Sequence, residues 1–254
     1  MSTLIYRAPS ASFKPACNLV IAEKANFGLA EKLTALNLDS AINVYKHVAA
    51  GRTEVATQWT EADDGAVTQH VFAHLTDERS RNLGTVRSDL LPELVSSNIA
   101  KEGDVSITLV LNNKDQVLAA GNALSKAFPL YDQRSSTKKL KDRTVQVSFV
   151  VPEEVSEQEY AAIQNCADST RLAAALYDEP TCTLNTSTYL ERIKKIAEQY
   201  PTVSLKSWVG EELPKAGLNA IWSVGKAAEF PPCMVVLEYT PENAGDETLL
   251  SLGQ

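Results

Sequence analysis

Histidine is scarce in this 254-residue chain. His47, His70 and His74 are the whole supply, so a histidine-built metal centre would use nearly all of it. Basic residues are outnumbered too: 24 Lys+Arg against 32 Asp+Glu leave a net charge of −8. That balance argues against a nucleic-acid partner, whose binding rests on clustered cations that neutralise phosphates. Cys17, Cys166, Cys182 and Cys233 are scattered, with no C-x-x-C pair. The expectation is buried free thiols in a reducing, cytoplasmic compartment. No apolar run approaches the roughly 18 residues of a membrane-spanning helix. The opening "MSTLIYRAPS" has no charged segment leading into a long apolar one, so neither a membrane nor a secretory route is expected. Neither G-x-G-x-x-G nor G-x-S-x-G occurs, which leaves a dinucleotide fold and a serine hydrolase without their fingerprints.

What is present is ordinary globular material, 44% hydrophobic and 22% charged. Residues 4–8, 18–24, 70–75, 105–112 and 144–151 are rich in β-branched and aliphatic side chains and read as strands. Residues 89–100 and 115–128 have helical spacing, with Val117, Ala120, Leu124 and Phe128 on one face. Ser156 and Glu159 have capping-box spacing at the head of a long helix that stops before Pro180. Beyond "DEPTCTLN" a helix is expected from near Thr186 or Thr188 to Tyr200. A strand at 202–209, a short helix in "GEELPKAG", a strand at 233–240 and an apolar strand in "ETLLSLGQ" follow. The fold class read from this is α/β: a helix-flanked mixed-sheet domain over residues 1–152, a connecting helix over 153–180, and the start of a second α/β domain over 181–254.

Several motifs invite chemistry, and each has a plainer reading. "AIWSVGKA" offers a Gly225-Lys226 pair, but the phosphate loop needs Gly where Ala220 stands and a hydroxyl where Ala227 stands. The pair reads instead as a structural hairpin or crossover closed by Pro231-Pro232. His70 and His74 would meet on a helix; on a strand they share a face more than about 12 Å apart, and they read as strand-end or partly buried groups. Asp63-Asp64-Gly65 reads as a turn. Asp178-Glu179-Pro180 reads as a helix end rather than paired carboxylates, and "KKLKDR" (138–143) as a solvated turn.

One longer stretch carries a resemblance. "GEELPKAGLNAIWSVGKAAEFPPCMVVLEYTP" resembles the leucyl (cytosol) aminopeptidases, and "DSTRLAAALYDEPTCTLNTSTYLE" is similar to their connecting helix and the helix after it. "NALSKAFPLYDQRSS" is similar to the branch known as probable aminopeptidase-like. The likeness spans about residues 100–254; the first 100 residues match only in arrangement.

The resemblance implies an N-terminal α/β domain without catalytic groups and a C-terminal domain carrying two divalent metals, zinc or manganese, for removal of N-terminal amino acids from peptides. It implies metal ligands that include a lysine at a V-G-K-G strand end, with an arginine and a second lysine beside the scissile bond. Here the strand end aligns as Ser251-Leu252-Gly253-Gln254. Gln254 therefore stands where the metal-binding lysine is expected and is not expected to be a ligand; the remaining ligands and catalytic residues would follow it. No catalytic residue and no bound cofactor is expected within the 254 residues. Two functions stay open: the N-terminal portion of a leucyl-type metalloaminopeptidase, or a truncated or inactive paralogue acting as a structural or assembly subunit. The resemblance also implies self-association, usually as hexamers, or membership of a larger complex.

Overall fold

In the computed structural model the described residues are 2–10, 12–23, 47–48, 54–78, 81–82, 84–131, 133, 141–242 and 245. The chain divides into two compact units, Met1–Asp178 and Glu179–Gln254.

The first unit is built on a six-stranded sheet: β1 (Ser2–Tyr6), β2 (Cys17–Glu23), β3 (Val55–Glu61), β4 (Val67–Leu75), β5 (Val105–Val110) and β6 (Arg143–Val150). The strands lie in the order β1-β6-β5-β2-β4-β3, all neighbours parallel except the β3–β4 hairpin. The mixed, helix-flanked α/β class expected from sequence is the class observed. The sequence marks no strand at β3: its VATQWTE has neither an apolar run nor a strict polar/apolar alternation, and at the sheet edge it is half-exposed or exposed along its length.

Helices α1 (Leu91–Asn98), α2 (Gln116–Ser125) and α3 (Glu157–Asp178) supply the apolar faces that cover one side of this sheet. Leu91 and Val95, Val117, Ala120 and Leu124, and Tyr160, Ile163 and Ala167 join Leu19, Ile21, Val71, Ile107, Leu109, Val145 and Val147 in one buried core. Phe128, expected on the α2 face, is buried there as well. Helical spacing predicts one face of Ile163, Ala167, Thr170, Ala174 and Tyr177 on α3; Ile163 and Ala167 are buried, but Thr170 is half-buried and Ala174 and Tyr177 are exposed, while Tyr160 and Arg171 are buried. The capping box is formed, since the Ser156 amide donates to Glu159 Oε2 at 2.8 Å and the Glu159 amide donates to Ser156 Oγ at 3.3 Å. A bond from Lys114 and those from Ser156 hold the Glu159 carboxyl down at about 2.

Edge strand β1 carries backbone groups that would otherwise invite another strand. Side chains of α3 occupy several of them. Gln164 Oε1 accepts from the Tyr6 amide at 2.9 Å, Gln164 Nε2 donates to Leu4 O at 3.0 Å, and Arg171 Nη2 donates to Ser2 O at 2.8 Å.

The second unit contains α4 (Thr186–Ala197), β7 (Val203–Val209), α5 (Glu212–Lys215), α6 (Asn219–Gly225) and β8 (Cys233–Tyr239), with β7 and β8 antiparallel. Asn185, not a threonine, caps α4: its Oδ1 accepts from the Ser187 and Thr188 amides, each at 3.1 Å, and Thr188 Oγ1 accepts from the Asn185 amide at 2.9 Å. The four cysteines are free, but only Cys17 is buried; Cys166 and Cys233 are intermediate and Cys182 is exposed, which corrects the expectation of buried thiols.

Candidate functional site

The segment that suggested a phosphate loop folds differently from either reading of it. Residues 219–225 form helix α6, so Gly225-Lys226 is a helix C-terminus, not a hairpin between strands. None of the helix residues is buried. The Lys226 amide donates back to Trp222 O at 2.9 Å and is thereby used. A helix C-terminus presents carbonyls and the negative end of the macrodipole, the wrong polarity for a phosphate. Gly225 is required by close packing: a Cβ there would run into the Pro232 ring, with Cγ of the ring 2.8 Å away. The rigid ring cannot swing aside, so Gly225→Ala is expected to destabilise the second unit by about 1–3 kcal/mol despite alanine's better helix propensity. Urea unfolding followed by Trp208 and Trp222 fluorescence would measure this, and an unchanged midpoint would count against the packing argument.

Most candidate acids and bases are engaged structurally. Arg192 grips both carboxylate oxygens of Glu179, one contact being 2.7 Å from Nη2 to Oε1, and the guanidinium bonds lower the Glu179 pKa. Glu179 is thus half of an ion pair, not of a carboxylate dyad. Asp64 Oδ1 accepts from the Ala66 amide at 3.0 Å, and Gly65 takes the left-handed φ of 79° that the expected turn needs. Of the basic run, Lys141 pairs with Glu102 at 2.8 Å, and Arg143 lies 5.7 Å over the Phe128 ring while donating to Ala100 O; residues 138–140 lie outside the described residues.

His70 and His74 are both on β4, as the strand reading required. His74 Nδ1 meets Glu54 Oε2 at 2.7 Å. His70 is a correction: it lies within the strand and is only 5% exposed, so it is buried outright rather than strand-end or partly buried. Burial pushes its pKa below the ordinary imidazole value.

Gln254 and the expected strand in "ETLLSLGQ" lie outside the described residues. Among the described residues there is no group of three or more His, Cys, Asp or Glu side chains that could hold a metal ion. They do not fit a two-metal centre, and no catalytic step follows from them. The described helices include none long and apolar enough to cross a membrane.

One similarity to known proteins falls within the residues that carried the sequence resemblance. Residues 171–254 match the catalytic domain of the cytosol aminopeptidase family. "Probable aminopeptidase NPEPL1" of Homo sapiens is 39% identical over 139 residues, 51% of this chain and 25% of that protein. A "Probable cytosol aminopeptidase" of Phytoplasma mali is 27% identical over 155 residues, 59% of this chain and 30% of that protein. The fold resembles that of leucyl aminopeptidase from Leishmania major, solved with actinonin. The TM-score is 0.76 and the identity 19%, covering 96% of this chain and 48% of that one. The apo leucyl aminopeptidase from Trypanosoma brucei gives a TM-score of 0.75 at 20% identity, covering 94% of this chain and 50% of that one. The chain thus spans about a quarter of the length of these curated relatives and about half of the solved ones. Residues 171–254 are thus similar to the catalytic domain of the cytosol aminopeptidase family, and the fold of nearly the whole chain is similar to that of solved leucyl aminopeptidases.

Proposed function

We propose that these 254 residues are the N-terminal portion of a leucyl-type metalloaminopeptidase, which removes N-terminal amino acids from peptides. The observation that carries this reading is one of coverage: nearly all of the chain follows the fold of about half of a solved leucyl aminopeptidase, while residues 171–254 match that family's catalytic domain. In this reading the two divalent metals, zinc or manganese, and the groups around them belong to the part of the family's length that the chain does not span. The connecting role of α3 between a 1–152 domain and the segment from 181 belongs to the same proposal. So does a cytoplasmic location, supported by four free cysteines. The acidic net charge supports a protein without a nucleic-acid partner.

A second reading, an inactive paralogue serving as an assembly subunit, rests on Gln254 in place of the expected metal-binding lysine. The coding sequence after Gln254 separates the two. An F/Y-D-x-G-G segment there supports the peptidase; a stop codon overturns it in favour of the subunit.

Self-association belongs to either reading. In the second unit Leu237 is 50% and Tyr239 67% exposed on β8, and Val224 is 89% exposed on α6. A two-stranded sheet gains little stability by itself, and apolar side chains clustered on it favour a covering surface. Sedimentation of the purified chain at micromolar concentration is expected to show oligomers, and a cooperative monomer would remove this part of the proposal.

A further inference from the structure

One level of the N-terminal sheet is polar from strand to strand. Gln146 on β6 pairs in register with Ser106 on β5, Ser106 with Asn18 on β2, and Asn18 with His70 on β4. Register partners lie on one face, and alternate residues on the other. Their neighbours Val105, Ile107, Leu19, Val71, Val145 and Val147 form the core, so the polar row belongs to the opposite face. Further along the same face Val20, Ala22, Phe72 and Val110 are apolar and buried, so the polar row is confined to one end of it. Gln146 and His70 are buried, Asn18 and Ser106 half-buried, and buried polar groups are costly unless bonded.

Protein atoms satisfy the row only in part. Gln146 Oε1 accepts from Arg7 Nε at 2.9 Å, and His70 Nε2 shares a hydrogen with Thr60 Oγ1 at 2.8 Å. His70 Nδ1 is buried and meets no partner, and neither does Ser148 Oγ, one step further along the same face.

A cavity of about 470 Å³ lies against this row, with Asn18, Ser106, Thr108, Gln146 and His70 among its lining residues. That volume is within the ordinary range for small-molecule sites. The chemistry of these five groups is uniform. Amide, hydroxyl and neutral imidazole can each both donate and accept, as a sugar hydroxyl does. Burial keeps His70 neutral near pH 7. An ammonium held against the row would be buried without a counter-charge, and the cation bonded to the row, Arg7, is an exposed side chain outside the cavity lining whose Nε is already given to Gln146. The lining charges Lys14 and Asp64 are exposed side chains, not part of the row. Phe13 adds an aromatic wall, suited to the apolar face of a pyranose or furanose ring.

We propose that this cavity binds a small uncharged polyhydroxylated molecule of about monosaccharide size, held by Asn18, Ser106, Thr108, Gln146 and the free Nδ1 of His70. The site stands on the first unit alone and does not depend on the peptidase reading.

The test uses the whole 254-residue chain with ¹⁵N-labelled histidine, titrated with D-ribose, D-glucose and myo-inositol, and with sulfate and glycine as charged comparisons. The expected result is a saturable shift of the His70 Nδ1 resonance with at least one neutral probe and none with the charged ones. Ser106→Val and Asn18→Leu are each expected to weaken that binding by about tenfold, the worth of one lost hydrogen bond with its partner left unpaired. The proposal is overturned if no neutral probe gives a saturable shift, which would leave the cavity a water site. It is equally overturned if sulfate or glycine binds instead, or if both variants bind undiminished. The titration of the unmodified chain decides the matter even if a variant fails to fold.

Discussion

The 254-residue chain, purified by itself, is expected to leave leucyl-amide substrates unhydrolysed, even with manganese or zinc added. Two-metal peptide hydrolysis needs ligands that fix both ions and ready a water between them, and a catalytic metal takes three or so protein ligands. No such group of His, Cys, Asp or Glu occurs among the described residues, and within the family match Glu179 is committed to Arg192, Glu191 to Lys194 and Glu212 to the Val209 amide. Enzymes of ordinary efficiency accelerate their reactions by about a millionfold or more, so the deficit relative to a chain carrying the full centre should be of that order. A longer product of the same reading frame, if it supplies the ligands, should recover metal-dependent turnover under identical conditions. Calorimetric titration with zinc gives an independent readout: no stoichiometric, tight site is expected on the shorter chain. Metal-dependent turnover by the 254 residues alone would refute the assignment of the centre to the rest of the family's length.

How far the molecule is legible in its sequence depends on where each residue's constraint comes from. β2, β5 and β6 are legible because their core-face positions are apolar (Leu19 and Ile21, Val105, Ile107 and Leu109, Val145, Val147 and Phe149) and the letters between them are mostly β-branched or small. β3 is not: it lies at the sheet edge, and its Trp59 is 61% exposed. α6 escapes a sequence reading for a related reason. It buries no residue, so no face selects a helical period, and its Gly225 answers to Pro232 rather than to a turn. The polar row leaves no mark on the sequence. Asn18, His70, Ser106 and Gln146 are far apart along the chain and meet only through strand register, which no local pattern specifies. The family resemblance is legible in residues 210–241, which lie within the match to the catalytic domain, but Gln254, the position that the resemblance aligns with a metal-binding lysine, lies outside the described residues.

Arg171→Ala is expected to be the most damaging single substitution in the first unit, costing about 3–5 kcal/mol. Arg171 is 5% exposed. Its Nε donates to Phe128 O at 2.7 Å and its Nη2 to Ser2 O at 2.8 Å. One planar group thereby ties α3 to the C-terminal end of the α2 segment and to edge strand β1. The nearest carboxylate, Asp168, lies 3.6 Å from Nη1 and is about half-exposed. Solvent screens that pair, so Asp168→Asn should cost less than about 1 kcal/mol. Truncating the arginine does more. It strands two carbonyls at about 1–3 kcal/mol each, opens a void where the side chain packed, and uncovers part of the β1 edge. Arg171→Lys should rescue little, because an ammonium on a flexible stem lacks the planar fork that reaches two carbonyls in different directions. Urea unfolding monitored by circular dichroism supplies the energies. Hydrogen exchange at Leu4 and Tyr6 supplies the local readout, with faster exchange expected in Arg171→Ala and Arg171→Lys but not in Asp168→Asn. If Arg171→Ala unfolds within about 1 kcal/mol of the parent, or if Asp168→Asn costs as much, the stabilisation comes from the ion pair or from elsewhere, and not from the bridged carbonyls.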